Sequence, residues 1–168
     1  MVKTLVAVGA IALTIAGMAL AAPQKKDTYN LTANLKTRSE VPKPTGVQTG
    51  AVGLFTGKVV EQDSDRATLT WRLAFSKLSG PAAAAHIHVG KAGKAGDVML
   101  ALCGPCKNGQ RGAANITHAQ LRTIRTGGTY VNVHSVKNAA GEIRGQVKTS
   151  EVGSSTTPNP SPDPSPYP

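Results

Sequence analysis

Apolar and polar residues alternate along several short stretches of the chain. The clearest alternation runs through YNLTANL at 29–35 and ATLTWRLAF at 67–75. This period of two is typical of β-strands that are buried on one face. Similar runs occur at 51–60, 84–89, 97–102, 129–134 and 142–148, separated by Gly, Pro and Asn. Seven short strands at this spacing predict an all-β fold, an antiparallel β-sandwich.

One segment departs from this alternation and predicts a short helix. Thr117 is followed three positions later by Gln120, a pair that forms a capping box at a helix start. The helix would run through Leu121 and Ile124 and stop at the glycines 127–128. We expect it to be a crossover between strands. No other segment has the length or period of a long helix, which excludes Rossmann-like and flavodoxin-like folds.

The two ends of the chain differ from the predicted sandwich, which we place at residues 25–149. Lys3 precedes an apolar run that ends in small residues near Ala21, the layout of a secretory signal peptide at 1–21. The alternative is an uncleaved anchor, although the glycines and threonine within the run would let it span a bilayer only marginally. At the other end, residues 152–168 are rich in proline and predict an extended tail, either a spacer or a plain disordered terminus.

The chain carries a formal net charge of +10, which falls to +9 if residues 1–21 are removed, because that segment contains Lys3 and no acid. A basic exported protein favours anionic polymers of the cell envelope or an envelope protein as its partner. Solubility alone is the alternative explanation of the charge. Aromatic residues make up 4% of the chain, so a base-stacking surface for nucleic acid is not expected. The predicted location is secreted, periplasmic or cell-surface, with no membrane span after cleavage.

Three of the four histidines occupy alternating positions on predicted strands. Within AHIHV at 85–89, His86 and His88 point to one face, while Ile87 and Val89 point to the core. Within TYVNVH at 129–134, the valines point to the core, and His134 lies on the opposite face with Tyr130 and Asn132. We expect His118, at the predicted helix start, to face solvent.

If these two strands are close, the three imidazoles of His86, His88 and His134 can converge within the shell of about 2.0–2.1 Å that zinc requires, and copper also accepts imidazole. A structural hydrogen-bond network and the absence of any role are the alternatives. Asn132, Glu142 and Arg144 are expected around this site. Glu142 and Arg144 would either pair with each other or hold a ring N–H of His134.

The two cysteines, Cys103 and Cys106, form a CxxC motif. In redox proteins this motif opens a helix that stabilises the thiolate, whereas here turn-forming residues follow at 107–112. An exported protein is expected to oxidise the pair to a structural disulfide. Redox exchange and thiolate ligation of a metal are the alternatives.

No constellation of catalytic residues emerges from the sequence. No elbow-type turn surrounds a serine, and the acids are few and lie in turns. GKAGKAG at 90–96 lacks the Lys-Ser or Lys-Thr ending of a phosphate-binding loop and joins two predicted strands. We therefore expect a hairpin loop with its two lysines exposed.

Three stretches carry a family resemblance: SEVPKP at 39–44, AAAAHIHVGKAGKAGDVMLAL at 82–102 and TYVNVHSVKNAAGEIRGQV at 129–147. Together they resemble the CHRD domain, a module named after chordin and widespread in secreted microbial proteins. The resemblance implies an immunoglobulin-like, Greek-key sandwich with a distant similarity to Cu,Zn superoxide dismutase. The family brings no established activity. A two-metal dismutase site needs more histidines than the four present.

Two functions remain from the sequence. The leading hypothesis is a secreted, non-enzymatic CHRD-type binding or structural module of the cell envelope without a cofactor. The alternative is a mononuclear copper or zinc protein, either a carrier or a weak redox enzyme, with His86, His88 and His134 as ligands.

Overall fold

The computed structural model describes residues 26–62 and 65–152. The leader predicted at 1–21 and all but the first residue of the tail predicted at 152–168 lie outside this part. The strands are β1 (Thr28–Lys36), β2 (Val52–Glu61), β3 (Arg66–Ser76), β4 (Ala82–Val89), β5 (Val98–Cys103), β6 (Gln110–Thr117), β7 (Thr129–Ser135), β8 (Ile143–Gln146) and β9 (Lys148–Glu151). A short 3-10 turn covers Thr37–Ser39, and the helix α1 covers His118–Arg125.

The strands pair in the order β5-β4-β7-β8-β1-β2-β3-β6, and β9 pairs with β1. Every pairing is antiparallel. β1 and β8 meet at one residue pair, Lys36 opposite Arg144. This junction divides the sheet into a four-stranded half (β5, β4, β7, β8) and a five-stranded half (β9, β1, β2, β3, β6). Their inner faces share one hydrophobic core, which confirms the predicted antiparallel all-β sandwich.

The apolar positions of the alternating pattern that predicted the strands also form the hydrophobic core. Tyr29, Leu31, Ala33 and Leu35 of β1 are all at most 2% exposed, and the residues between them are exposed. β3 repeats this pattern from Ala67 to Leu73. Burial of these apolar side chains, at about 25 cal/mol per Å², holds the two halves together.

The helix α1 begins where the capping box predicted it. The Thr117 side chain accepts a hydrogen bond from the Gln120 backbone N–H, and the Gln120 side chain accepts one from the Thr117 backbone. Leu121 and Ile124 are buried against the core. The helix connects β6 in the five-stranded half to β7 in the four-stranded half, so it is the expected crossover. Among the described helices, none combines the length and apolarity needed to cross a bilayer.

Three details differ from the sequence prediction. β6 occupies a stretch that shows little alternation, because its inward positions include small glycine and alanine residues, and Gly112 lies beneath the Trp71 ring. The single strand predicted at 142–148 is two strands, β8 and β9, on either side of the buried Val147. Val89 was expected in the core, but it ends β4 and is 43% exposed.

Candidate metal centre

His86, His88 and His134 come together on the outer face of the four-stranded half. β4 and β7 are neighbours, and the register places Ala84 opposite His134, and His88 opposite Tyr130. Residues directly opposite each other share a face of the sheet, so the three imidazoles lie on the same side. One ligand atom from each histidine lies within 4.8 Å of the other two. The predicted convergence is therefore present.

The hydrogen bonds of the cluster leave ring nitrogens available to a metal. His88 Nδ1 lies 2.9 Å from the Gly96 carbonyl oxygen, and His134 Nδ1 lies 2.9 Å from that of Ala139. Because a carbonyl oxygen only accepts, both Nδ1 atoms carry the proton, and both Nε2 atoms keep their lone pairs. This arrangement of a ring N–H on a backbone carbonyl is the one that orients histidine ligands in metal sites.

His86 is the third candidate ligand of the cluster. His86 Nδ1 lies 3.1 Å from His134 Nε2, close enough for one nitrogen to donate its proton to the other. A tetrahedral zinc ion with nitrogens at about 2.0–2.1 Å holds those nitrogens about 3.3 Å apart. The spacing of this pair therefore suits a shared metal ion, and the His86 proton would then lie on Nε2 instead of between the two rings.

His88 supplies an independent sign that the cluster has room for a ligand. Its Nε2 atom is buried and has no hydrogen-bond partner among the described residues, although it is an acceptor by the tautomer argument. A buried polar atom without a partner costs free energy. A metal ion between the three rings would satisfy this atom, so the residues fit a single copper or zinc ion.

The electrostatics of the cluster favour the neutral form of His86 and His134, the form that binds metals. Burial lowers the pKa of His86, and the nearby His134 and His88 lower it further. Burial also lowers the pKa of His134, and its effect and that of His88 outweigh the hydrogen bond to Ala139, which raises the pKa. Neither ring needs to lose a proton at neutral pH before it can bind.

Tyr130 supports the site from within the sheet. Its ring stacks on the His88 imidazole at an interplanar angle of 7° and a centroid distance of 5.0 Å. The Arg144 guanidinium carbon lies 3.3 Å from the centre of the same ring. β7 lies between β4 and β8, so the Tyr130 ring is held between the imidazole and the guanidinium. This contact reduces the freedom of His88 to rotate.

Asn132 contacts a buried acid rather than the histidines. Its Nδ2 donates to Glu40 Oε1 over 3.2 Å, and Glu40 is fully buried. Burial raises the pKa of Glu40 to about 7 against the lowering effects of the Val41 N–H, Arg144 and Asn132. Glu40 and the loop 90–97 therefore cover part of the face that carries the histidines, and His86 and His134 are only partly open to solvent.

The expected roles of Glu142 and Arg144 need correction. Glu142 accepts hydrogen bonds from the backbone and side chain of Ser79 at 2.6 and 2.7 Å. Arg144 donates to the carbonyl oxygens of Lys91 and Lys94 at 3.0 and 2.7 Å. Both are at most 1% exposed. They do not hold His134, because the Ala139 carbonyl occupies its Nδ1. Their effect is to anchor the loops around the cluster.

The remaining predicted residues lie apart from the three histidines. Cys103 and Cys106 form a disulfide with their sulfurs 2.08 Å apart, and β6 rather than a helix follows them. His118 begins α1 and is half-buried, not solvent-facing as expected, because it lies at the junction of β6 and α1. Lys91 and Lys94 are exposed in the hairpin loop, as predicted.

The sequence analysis missed Glu40, Ser79 and the contact of Tyr130 with His88. Glu40 had a usable signal, because it is the only acid between Asp27 and Glu61 and lies in the stretch SEVPKP. Ser79 had none. Its role depends on the loop before β4 reaching Glu142 at the start of β8, 63 residues later in the chain.

Comparison with known proteins gives one match. Residues 31–147 match the family model described as the CHRD domain. This range is more than half of the chain and contains all three clustered histidines. No match was found among curated proteins or among solved structures.

Proposed function

This chain belongs to the CHRD domain family, and from that membership and the histidine cluster we propose that it is a non-enzymatic binding module that holds one copper or zinc ion. The ligands are His86 Nδ1, His88 Nε2 and His134 Nε2. Three imidazoles are the donor set that both metals accept. Zinc takes four ligands, so these three histidines would leave one position for a further ligand.

One observation carries this proposal. The His88 Nε2 atom is buried without a partner, and the hydrogen bonds to Gly96 and Ala139 direct two Nε2 lone pairs into the same space. A purely structural hydrogen-bond network would satisfy each buried nitrogen. Within the cluster His88 Nε2 lacks a partner, and a cation is the partner that the converging imidazole lone pairs would take.

The test is metal content and titration with Cu(II) and Zn(II), on protein purified without a histidine tag. The His134→Ala variant removes one ligand, and His118→Ala removes a histidine outside the cluster. We expect one ion per chain in the parent and in His118→Ala, and its loss in His134→Ala. Equal metal binding by the parent and His134→Ala would contradict the proposal.

A second proposal concerns location and partner. The leader predicted at 1–21 and the Cys103–Cys106 disulfide favour an oxidising compartment outside the cytoplasm. The net charge of +10 favours anionic partners of the cell envelope. We propose a secreted, periplasmic or cell-surface module that binds anionic envelope polymers or an envelope protein.

This second proposal is tested by fractionation and by binding in salt. N-terminal sequencing of the protein recovered from outside the cytoplasm should begin at Ala22. Binding to isolated envelope material should weaken steeply between low and moderate ionic strength, because counterions screen charges beyond about 8–10 Å. Recovery only from the cytoplasm would contradict the location, and retention in high salt would contradict a charge-driven partner.

A further inference from the structure

The outward face of the five-stranded half is a broad, exposed and largely polar surface, with Val52 and Leu54 of β2 as exposed apolar side chains near one end. Side chains at alternate positions of β9, β1, β2, β3 and β6 point away from the core, and most of them are exposed. On β1 these positions hold threonine, asparagine and lysine, and on β3 they hold mainly threonine and arginine. We call this surface the basic face.

The charge of the basic face has one sign. Among the described residues of these strands, the two acids are Glu61 and Glu151, each at the last position of its strand, opposite Ala67 and Tyr29 and on the alternate side from the cations; Glu151 is exposed there. No carboxylate of these described strands therefore lies on the same side as the cations. The outward cations are Lys36, Lys58, Arg66, Arg72, Arg111 and Lys148.

The strand register arranges part of this charge in a row. Lys148, Thr32, Thr56, Arg72 and Arg111 lie directly opposite one another on β9, β1, β2, β3 and β6. Neighbouring strands are about 4.8 Å apart, so the row is about 19 Å long. It crosses the strands and could contact several repeat units of a linear polymer.

Arg72 and Arg111 are the unfavourable pair within this row. They are exposed and directly opposite each other on β3 and β6. Like charges in this position destabilise a sheet. A bound anion between the two guanidinium groups would remove that repulsion. Because no acid on these described strands lies beside the two arginines to offset their repulsion, the pair favours binding of an anionic ligand over stability of the sheet.

The surface is concave at this point. A depression of about 360 Å³ is lined by the polar and charged residues Thr56, Lys58, Thr70, Arg72 and Arg111, together with Gly57, Trp71 and Gly112. Three cations and two hydroxyl groups therefore surround one hollow. Arginine binds a carboxylate through two parallel hydrogen bonds, and threonine exchanges hydrogen bonds with hydroxyl groups. This combination matches a sugar that carries a carboxylate.

We infer that the basic face binds a linear acidic polysaccharide laid across the strands, with Arg72 and Arg111 on one carboxylate and Lys58 and Lys148 on neighbouring ones. The inference rests on the proposed role at the cell envelope and assigns that role a surface and a ligand class. Nucleic acid fits less well, because Trp71, which lines the depression, packs into the core and is only 6% exposed, and the outward positions of these described strands hold no aromatic side chain to stack on a base.

The test uses polygalacturonate as the probe and compares two variants of the full chain with equal loss of charge. Arg72→Gln/Arg111→Gln alters the basic face. Lys91→Gln/Lys94→Gln alters exposed lysines on the β4–β5 loop. We expect the first to weaken binding by at least about tenfold and the second by less than about twofold. The unfolding temperature is the check on folding: Lys91→Gln/Lys94→Gln should match the parent, and Arg72→Gln/Arg111→Gln should match or exceed it, because the repulsion between the two arginines is removed.

The outcomes separate this inference from the envelope proposal. Equal weakening by both variants would overturn the assignment of the basic face as the binding surface. It would leave a charge-driven role at the envelope intact. If the parent fails to bind polygalacturonate but still binds isolated envelope material, only the assignment of an acidic polysaccharide as the ligand is overturned. Failure to bind either would overturn both. Inorganic polyphosphate that binds more tightly than polygalacturonate, through the same arginines, would also overturn the polysaccharide assignment.

Discussion

The His88 imidazole lies almost parallel to the Tyr130 ring, at 7° and a centroid distance of 5.0 Å. Tyr130 is 3% exposed, and its hydroxyl accepts a hydrogen bond from the Gly96 N–H over 3.2 Å. The Gly96 carbonyl in turn binds His88 Nδ1. Tyr130 and Gly96 thus hold one candidate ligand from two directions, by ring stacking and by a hydrogen bond.

Replacing Tyr130 should affect stability and metal affinity together. Tyr130→Leu removes the ring that lies between His88 and Arg144, and we expect a loss of about 2–3 kcal/mol in unfolding free energy. Tyr130→Phe keeps the stack and should cost about 1 kcal/mol, the value of the lost hydroxyl bonds. Zinc affinity, measured by competition with a chelator, should fall for Leu and stay near the parent value for Phe. Unchanged affinity in Tyr130→Leu would show that the stack does not orient His88.

Metal binding should persist into mildly acidic solution. The pKa values of His86 and His134 are lowered from the ordinary value of 6.5, mainly by burial. Both rings are therefore more than half neutral at pH 6.5, and protons compete with the metal mainly below it. Zinc titrations across the range from neutral to acid should place the midpoint of metal release below pH 6.5. A midpoint above 6.5 at saturating zinc would contradict this pH dependence.

The same shifts affect the metal-free protein. A histidine whose pKa is lowered by folding contributes stability above its unfolded pKa, and this contribution is lost as the pH falls through the folded value. Metal-free protein should therefore become less stable in acid, and His86→Gln should show a weaker dependence. Urea unfolding at several pH values measures the difference between the two proteins.

Glu40 should produce a pH dependence of the opposite sign. Burial raises its pKa from 4.5 to about 7, so the folded protein holds the proton more tightly than the unfolded chain. The contribution is complete below pH 4.5 and is lost as the pH rises to about 7, a difference of about 3 kcal/mol. Relative to Glu40→Gln, the parent should therefore lose stability over this range. Glu151→Gln changes an exposed acid and is the control.

Gly141 should be intolerant of any side chain. A Cβ at this position would lie 2.5–2.6 Å from the Asn132 amide and from Glu40 Oε2, and the backbone φ is +130°. We expect Gly141→Ala to cost about 2–4 kcal/mol in unfolding free energy, from overpacking and backbone strain. Gly93→Ala is the matched control, because its φ is +77° but nothing lies within 4 Å of the added Cβ. It should cost about 1 kcal/mol. Equal costs would mean that strain alone acts at both positions.

The disulfide should prove structural. Cys103 and Cys106 close a loop with a sequence separation of 3, and the chain-entropy estimate for so short a loop is about 2 kcal/mol. Cys103→Ser/Cys106→Ser should lose about this amount of stability and keep its metal, as measured by denaturant unfolding and metal content. Catalysis of insulin reduction by the parent protein would instead favour a redox role.

Much of the fold was predictable because alternation is a local property. A residue and its second neighbour share a face of a strand whatever lies beside that strand, so 29–35 and 67–75 could be assigned from the sequence. The capping box at Thr117 is equally local. β6 escaped prediction, because a strand that packs glycine and alanine under Trp71 carries little apolar signal of its own.

The candidate metal site, like the fold, was predictable only in its local features. The sequence alone determined that His86 and His88 share a face and that His134 faces away from the core, because each statement needs only the period of a strand. Only the tertiary structure decided that β4 and β7 are neighbours and that Gly96 and Ala139 orient two of the rings. It also placed the buried Glu40 behind Asn132. Strand order and loop closure depend on contacts between distant parts of the chain, which no local pattern of residues records.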